Sequence, residues 1–231
     1  MRWSLRHLAW QLLLRLCGST KRVLAIRAAN SEIDWTLVQS AANVQRPWLI
    51  DELLLPDFGR KMMEKGFQHA LEDAESLILS NLVSKNPDAL LLQSKGVGIA
   101  TYLAFHKIWQ GPLVLLSPIP NACEHISGGS WEAEWNSTMQ LLRSTQLVAV
   151  GTGSSNDEQE FIVQSMEETA VCGKIRRGTI SHSFELCPSW ILRSFPGDHR
   201  WKEEPDNAKH IARLIDSMLS NMRRMTKRSE L

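Results

Sequence analysis

Residues Leu90 to Ala104 read LLLQSKGVGIATYLA, and this stretch decides the fold. With Ala89 it opens on a continuous apolar run, Ala89 to Leu92, of the kind found in a strand covered on both faces. Through Gln93-Ser94-Lys95-Gly96 it passes straight into an apolar helix, predicted over Val97 to Ile108. A strand that becomes a helix within a few residues lifts a side chain above the sheet edge. It also aims the first N–H groups of the helix at whatever binds there. Ser94 holds that position, where a serine serves either as a nucleophile or as a helix N-cap.

The same alternation extends in both directions. Upstream, Arg22 to Ala28 (RVLAIRA) and Pro47 to Leu55 (PWLIDELLL) are short runs rich in Val, Ile and Leu, the second closed by Pro56 and Gly59. Between Gly66 and Ser84, Phe67, Ala70, Leu71, Ala74, Leu77, Ile78 and Leu82 recur at helical spacing, and Asn86-Pro87-Asp88 stops that helix. Downstream, strands are predicted at Pro112 to Leu116, Gln146 to Val150 and Trp190 to Ser194. Helices are predicted near Ser130 to Arg143, Glu158 to Glu168 and Asp206 to Met222. This spacing predicts βαβ units: an α/β fold with a parallel sheet, right-handed crossovers and helices on both faces, a three-layer sandwich. In such sheets the chemistry collects at the carboxyl ends of the strands.

Length and composition bound the rest. With 231 residues, 43% hydrophobic and 22% charged, the chain is one globular domain without a long disordered segment. Lys+Arg 26 against Asp+Glu 25 leaves no field to gather a polyanion, so nucleic acid is not an expected partner. The four cysteines, Cys17, Cys123, Cys172 and Cys187, form no CxxC pair, so reduced thiols rather than a zinc site or a disulfide framework are expected. The longest uncharged run near the middle, Ile108 to Cys123, carries three prolines and reads as a buried strand with its exit loop, not a membrane span.

Residues 1–20 carry Arg2, Arg6 and Arg15 among Leu and Trp, with no acidic residue before Glu32. This segment is either a cationic amphipathic helix packed on the domain or an organelle-targeting segment. The corresponding locations are cytoplasmic or, alternatively, mitochondrial or another organelle. The domain itself is read as residues 21–222, followed by a flexible tail at 223–231.

Three strand ends carry candidate chemistry. Gly96, Gly98 and Ala100 let the helix after Ser94 approach its strand closely, and SKGVGIATYLA resembles the nucleophile elbow of the α/β-hydrolase superfamily, a G-x-S-x-G motif followed by small residues. Leu92 stands where that family has its first glycine. A second register makes Ser94 the first small residue and puts Gly96 at the nucleophile position, with no hydroxyl at all. The loop GTGSSNDEQEF follows the strand ending at Val150; by the resemblance its Asp157 is the triad acid, and by position it is equally a helix N-cap or first-turn acid. Phe195-Pro196-Gly197-Asp198-His199 resembles the family's G-x-H histidine loop.

An imidazole with an ordinary pKa near 6.5 can take the serine proton and return it to a leaving group. His7, His69, His106 and His210 fall on predicted helices and His125 and His182 in polar loops, so His199 alone has that placement. The order Ser94, Asp157, His199 is the family's order. The resemblance implies an ester or thioester hydrolase: Ser94 attacks, His199 is base then acid, and Asp157 orients His199. The Lys95 N–H with that of Ala28 or Ala29 holds the oxyanion. The substrate is then a small acyl compound, and no cofactor or metal is expected.

Arg27-Ala28 occupies the loop where many members have His-Gly. This departure and Leu92 motivate the alternative, a hydrolase-like scaffold without catalysis that acts on a protein partner. Gly96-Val97-Gly98 is not a dinucleotide fingerprint, and no Walker sequence occurs. Gly151 to Ser155 reads as a connection that could also cradle a phosphate. Of the nine tryptophans, Trp131 and Trp135 share one predicted helix face, as core packing or as a pocket wall.

Overall fold

The computed structural model describes residues 20–28, 33–42, 47–118, 148–153, 183–187, 190–195 and 205–229. The elements are β1 (Lys21–Arg27), α1 (Trp35–Ser40), β2 (Trp48–Leu54), α2 (Phe58–Lys65), α3 (Phe67–Lys85), β3 (Ala89–Gln93), a 3-10 turn (Ser94–Gly96), α4 (Val97–Phe105), β4 (Leu113–Leu116), β5 (Val148–Gly153), β6 (Ser183–Cys187), β7 (Trp190–Phe195) and α5 (Pro205–Ser229). The strands form one seven-stranded sheet in the order β2-β1-β3-β4-β5-β7-β6. All are parallel except β6, which runs antiparallel to β7 at the edge. The fold is therefore the expected α/β class, with one antiparallel edge strand that the sequence reading did not anticipate.

Strict alternation along the strands builds two cores. Leu24, Ile26, Leu90, Leu92, Leu113 and Leu115 face one side and pack with α2, α3 and α4. Val23, Ala25, Ala89, Leu91, Val114 and Leu116 face the other and pack with Val38 of α1 and with Ile211, Leu214, Ile215 and Met218 of α5. Because both faces are covered, Val23–Ile26, Ala89–Leu92 and Leu113–Leu116 are apolar at every position, which is why the run before Ser94 has no polar alternation. Each such leucine contributes about 1.5–3 kcal/mol by leaving water. The indole of Trp48 on β2 donates to Asp216 Oδ1 of α5 at 2.7 Å, fastening the last helix to the sheet.

Several boundaries differ from the sequence reading. The turn Gly151-Thr152-Gly153 is strand, because it pairs with β7 through Gly153↔Phe195 and, at Gly151, also with Leu116 of β4. Ladder pairing on two sides outweighs the poor strand propensity of glycine. Helix α4 stops at Phe105 rather than Ile108. Lys107 takes a left-handed φ of 57, and the N–H groups of Lys107 and Ile108 close on Ala104 and Leu103, a Schellman ending formed without glycine. Leu77, counted in the apolar stripe of α3, is 36% exposed, whereas Ala70, Leu71, Ala74 and Ile78 are buried. Helix α5 continues past Met222 to Ser229. The predicted helices near 130–143 and 158–168 and the segment 1–19 lie outside the described residues.

The chain's single tyrosine gives a direct check on the packing of α4 against α3. The Tyr102 hydroxyl donates to Glu75 Oε1 at 2.6 Å. That acceptor, with burial second, pushes its ionisation up to about 12. A raised pKa means the contribution of this contact is fully present below about 10, where tyrosine in the unfolded chain ionises, and is lost as the pH rises through about 12. Spectrophotometric titration of the tyrosinate band is expected to show a midpoint near 12, and Glu75→Gln is expected to move it down toward the ordinary value. A wild-type midpoint near 10 would contradict the contact.

Candidate active site

The topology selects one place on the sheet. From β1 the chain leaves to α1 on one face and moves outward to β2. From β3 it leaves to α4 on the opposite face and moves the other way to β4. Right-handed crossovers running in opposite directions require that divergence. The loops leaving neighbouring β1 and β3 therefore part company at their carboxyl ends, and the crevice between them is the topological switch point where open α/β sheets bind ligands.

Ser94 stands at that crevice. Gln93 is extended (φ −120, ψ 145), Ser94 is left-handed (φ 55) and Gly96 is helical (φ −59, ψ −17), so the reversal from strand to helix is accomplished at one non-glycine residue. A left-handed backbone at a side chain with a Cβ costs about 1–2 kcal/mol and is retained where the surroundings over-determine it. Ser94 occupies neither cap position: the N-cap of the turn is Gln93 and that of α4 is Gly96, neither with a side-chain cap bond.

Gly96 is where this turn comes closest to its neighbours. A Cβ at Gly96 would lie 3.3 Å from Leu92 Cβ and 4.0 Å from Ala28 Cβ. The close approach of strand, turn and β1 exit is made by the missing side chain of residue 96, so Leu92 keeps its own and fills the core at 1% exposure.

Ala28 and Lys95 are the two residues expected to supply oxyanion donors, and Lys95 follows Ser94 within the 3-10 turn. Ala28 immediately follows β1, is 5% exposed and neighbours the turn at Gly96. The Lys95 side chain leans onto α2, its Nζ 3.8 Å from Met63 Sδ. Ala29, Asp157 and His199 lie outside the described residues, as do Trp131 and Trp135. The strands that precede Asp157 and His199, β5 and β7, end on the same edge of the sheet as β3, and β7 adjoins β5.

One residue at this edge was not singled out from the sequence. Ser117, just after β4, is left-handed (φ 42) and fully buried at 0% exposure. The β3–β4 register, Gln93↔Leu116, sets it beside Ser94. The visible signal was a strand ending in Ser-Pro, the pattern of an ordinary strand exit. Among the described residues no group of three or more His, Cys, Asp and Glu could hold a metal ion, and no helix is long and apolar enough to cross a membrane.

No protein-family model matches the chain, and no curated protein matches it. Among solved structures, the esterase domain of a Rhodothermus marinus protein superposes with a TM-score of 0.48 at 10% identity, over 86% of this chain and 84% of that one.

Proposed function

We propose that the protein is a serine hydrolase of the α/β-hydrolase type that cleaves a small ester or thioester. The observation that carries this reading is the left-handed Ser94 at the switch-point crevice, between an extended Gln93 and a helical Gly96. A serine so placed projects from a strained strand-to-helix turn, the arrangement by which a hydroxyl is offered to a carbonyl carbon at the sheet edge.

In the proposed cycle the Ser94 hydroxyl attacks the acyl carbon while the His199 imidazole accepts its proton. The protonated imidazole then gives that proton to the departing alkoxide or thiolate. Asp157 accepts the other imidazole N–H and stabilises the cation. The backbone N–H groups of Lys95 and Ala28 receive the developing oxyanion. Water, deprotonated by His199, releases the acid and restores Ser94. Support for the two distal roles is topological: Asp157 and His199 follow strands that end on the same edge as β3.

A fluorophosphonate probe tests this directly. The wild type is expected to be labelled stoichiometrically at Ser94 and the Ser94→Ala protein not at all. Folded wild type that resists the probe would replace this reading with the non-catalytic scaffold, working through protein contacts.

A further inference from the structure

Pro118 stands where the ladder between β3 and β4 would next need a donor. The Leu90 N–H donates to the Pro112 carbonyl at 3.0 Å, and Leu90 pairs with Leu113 in a register that runs unbroken to Gln93↔Leu116. In a parallel pair, a residue that donates to the position before its partner accepts from the position after it. The even-numbered residues of β3 therefore turn their backbone groups to β4. By this register the Leu92 carbonyl falls to the Leu116 N–H, and the Ser94 carbonyl falls to the nitrogen of residue 118. That nitrogen belongs to a proline and carries no hydrogen.

The Ser94 carbonyl is used elsewhere. It accepts from the N–H of Val97, the first residue of α4, so the group that the sheet does not hold closes the 3-10 turn instead. Ser117 is left-handed at φ 42, as Ser94 is at φ 55, so the two neighbouring strands leave the sheet at the same level. Ser117 and Pro118 are both buried. A buried backbone donor takes an acceptor within its reach, so an N–H at 118 would compete with Val97 for the Ser94 carbonyl.

We propose that Pro118 is a positioning residue for Ser94: by withholding a ladder donor it frees the Ser94 carbonyl for the turn that presents the hydroxyl at the crevice. The consequence for reactivity rests on the serine-hydrolase reading above, whereas the release of the carbonyl does not.

Two full-length variants separate the missing donor from the proline ring. Pro118→Ala restores an N–H, and the ester analogue with lactic acid at 118 has the alanine side chain and no N–H. In Pro118→Ala the Val97 amide is expected to exchange about tenfold faster than in the wild type, and labelling of Ser94 by a fluorophosphonate is expected to slow about 10²-fold. The ester analogue is expected to match the wild type in both. A folded Pro118→Ala protein with wild-type Val97 exchange would overturn the proposal. So would one that loses that protection yet is labelled at the wild-type rate, or an ester analogue that behaves like Pro118→Ala. Should Pro118→Ala not fold, the ester analogue alone decides: wild-type exchange and labelling support the proposal, and loss of either overturns it. A wild type that resists the probe overturns the hydrolase reading and with it the effect on reactivity, while Val97 exchange still decides the release of the carbonyl.

Discussion

Ser94→Ala is expected to lower turnover of a 4-nitrophenyl ester at least about 10³-fold while the protein remains folded. The loss follows from the proposed division of labour, in which the hydroxyl forms the bond to carbon and the imidazole and backbone donors only assist it. Ser94→Gly sharpens the test because it separates chemistry from backbone. The φ of 55 at residue 94 is strained for serine and ordinary for glycine, so Ser94→Gly is expected to be equally inactive yet no less stable than the wild type, because relief of about 1–2 kcal/mol of left-handed strain offsets the about 0.5–1 kcal/mol that glycine costs in backbone entropy. A residue kept for stability would show the reverse, activity retained and stability lost. Ester hydrolysis and thermal unfolding of the two variants, measured side by side, distinguish these outcomes.

Leu92→Ala is expected to cost about 2–5 kcal/mol. For a domain of this size that is a fall in melting temperature of about 5–15 °C. Leu92 is 1% exposed and lies in the middle of β3, paired with Ile26 on one side and Leu115 on the other. Its Cβ stands against the bare α-carbon of Gly96. Removing it opens a cavity that the two neighbouring strands cannot fill without breaking their ladders. The same reasoning predicts that Leu92→Gly destabilises even more, because glycine adds backbone entropy to the lost packing. Circular dichroism melts are the measurement, and a melt within about 1–2 °C of wild type for Leu92→Ala would show that the turn after β3 is not packed as described.

The parts of the fold that were legible in the sequence are those where local pattern and tertiary burial agree. The apolar runs at β1, β3 and β4 are read as buried strands and are buried strands, because a sheet covered on both faces leaves no polar position to confuse the period. Helix α3 is legible because Ala70, Leu71, Ala74 and Ile78 recur every three to four residues and Asn86, left-handed at φ 43, ends it. The missed elements share the opposite property. Helix α1 has six residues and buries Val38 among polar neighbours; its Asp34 cap is a common residue type with no capping-box glutamate after it. Helix α2 contains Gly59, which reads as the end of a strand and instead sits inside the helix. Strand β6 pairs on one side only, with an irregular register between Phe184 and Cys187, so it needs little periodicity to form.

At the candidate site, the serine was legible because the type of transition, strand to helix in one step, is written in the order of residue sizes. The left-handed geometry of Ser94 was not, since φ depends on the turn as a whole. Nor was the role of Gly96 in accommodating Leu92, which requires knowing that Ala28 lies on the far side of the turn. Ser117 was missed for the same reason: only the β3–β4 register makes it the neighbour of Ser94.

The proposed proton relay from Ser94 to His199 is decided by the separation of the two side chains in a crystal structure of the full chain. The Ser94 Oγ is expected within about 3.2 Å of an imidazole nitrogen of His199, with an Asp157 carboxylate oxygen at a similar distance from the other nitrogen. An imidazole at residue 199 held far from Ser94 by ordered loops that cannot bring the two together would contradict it.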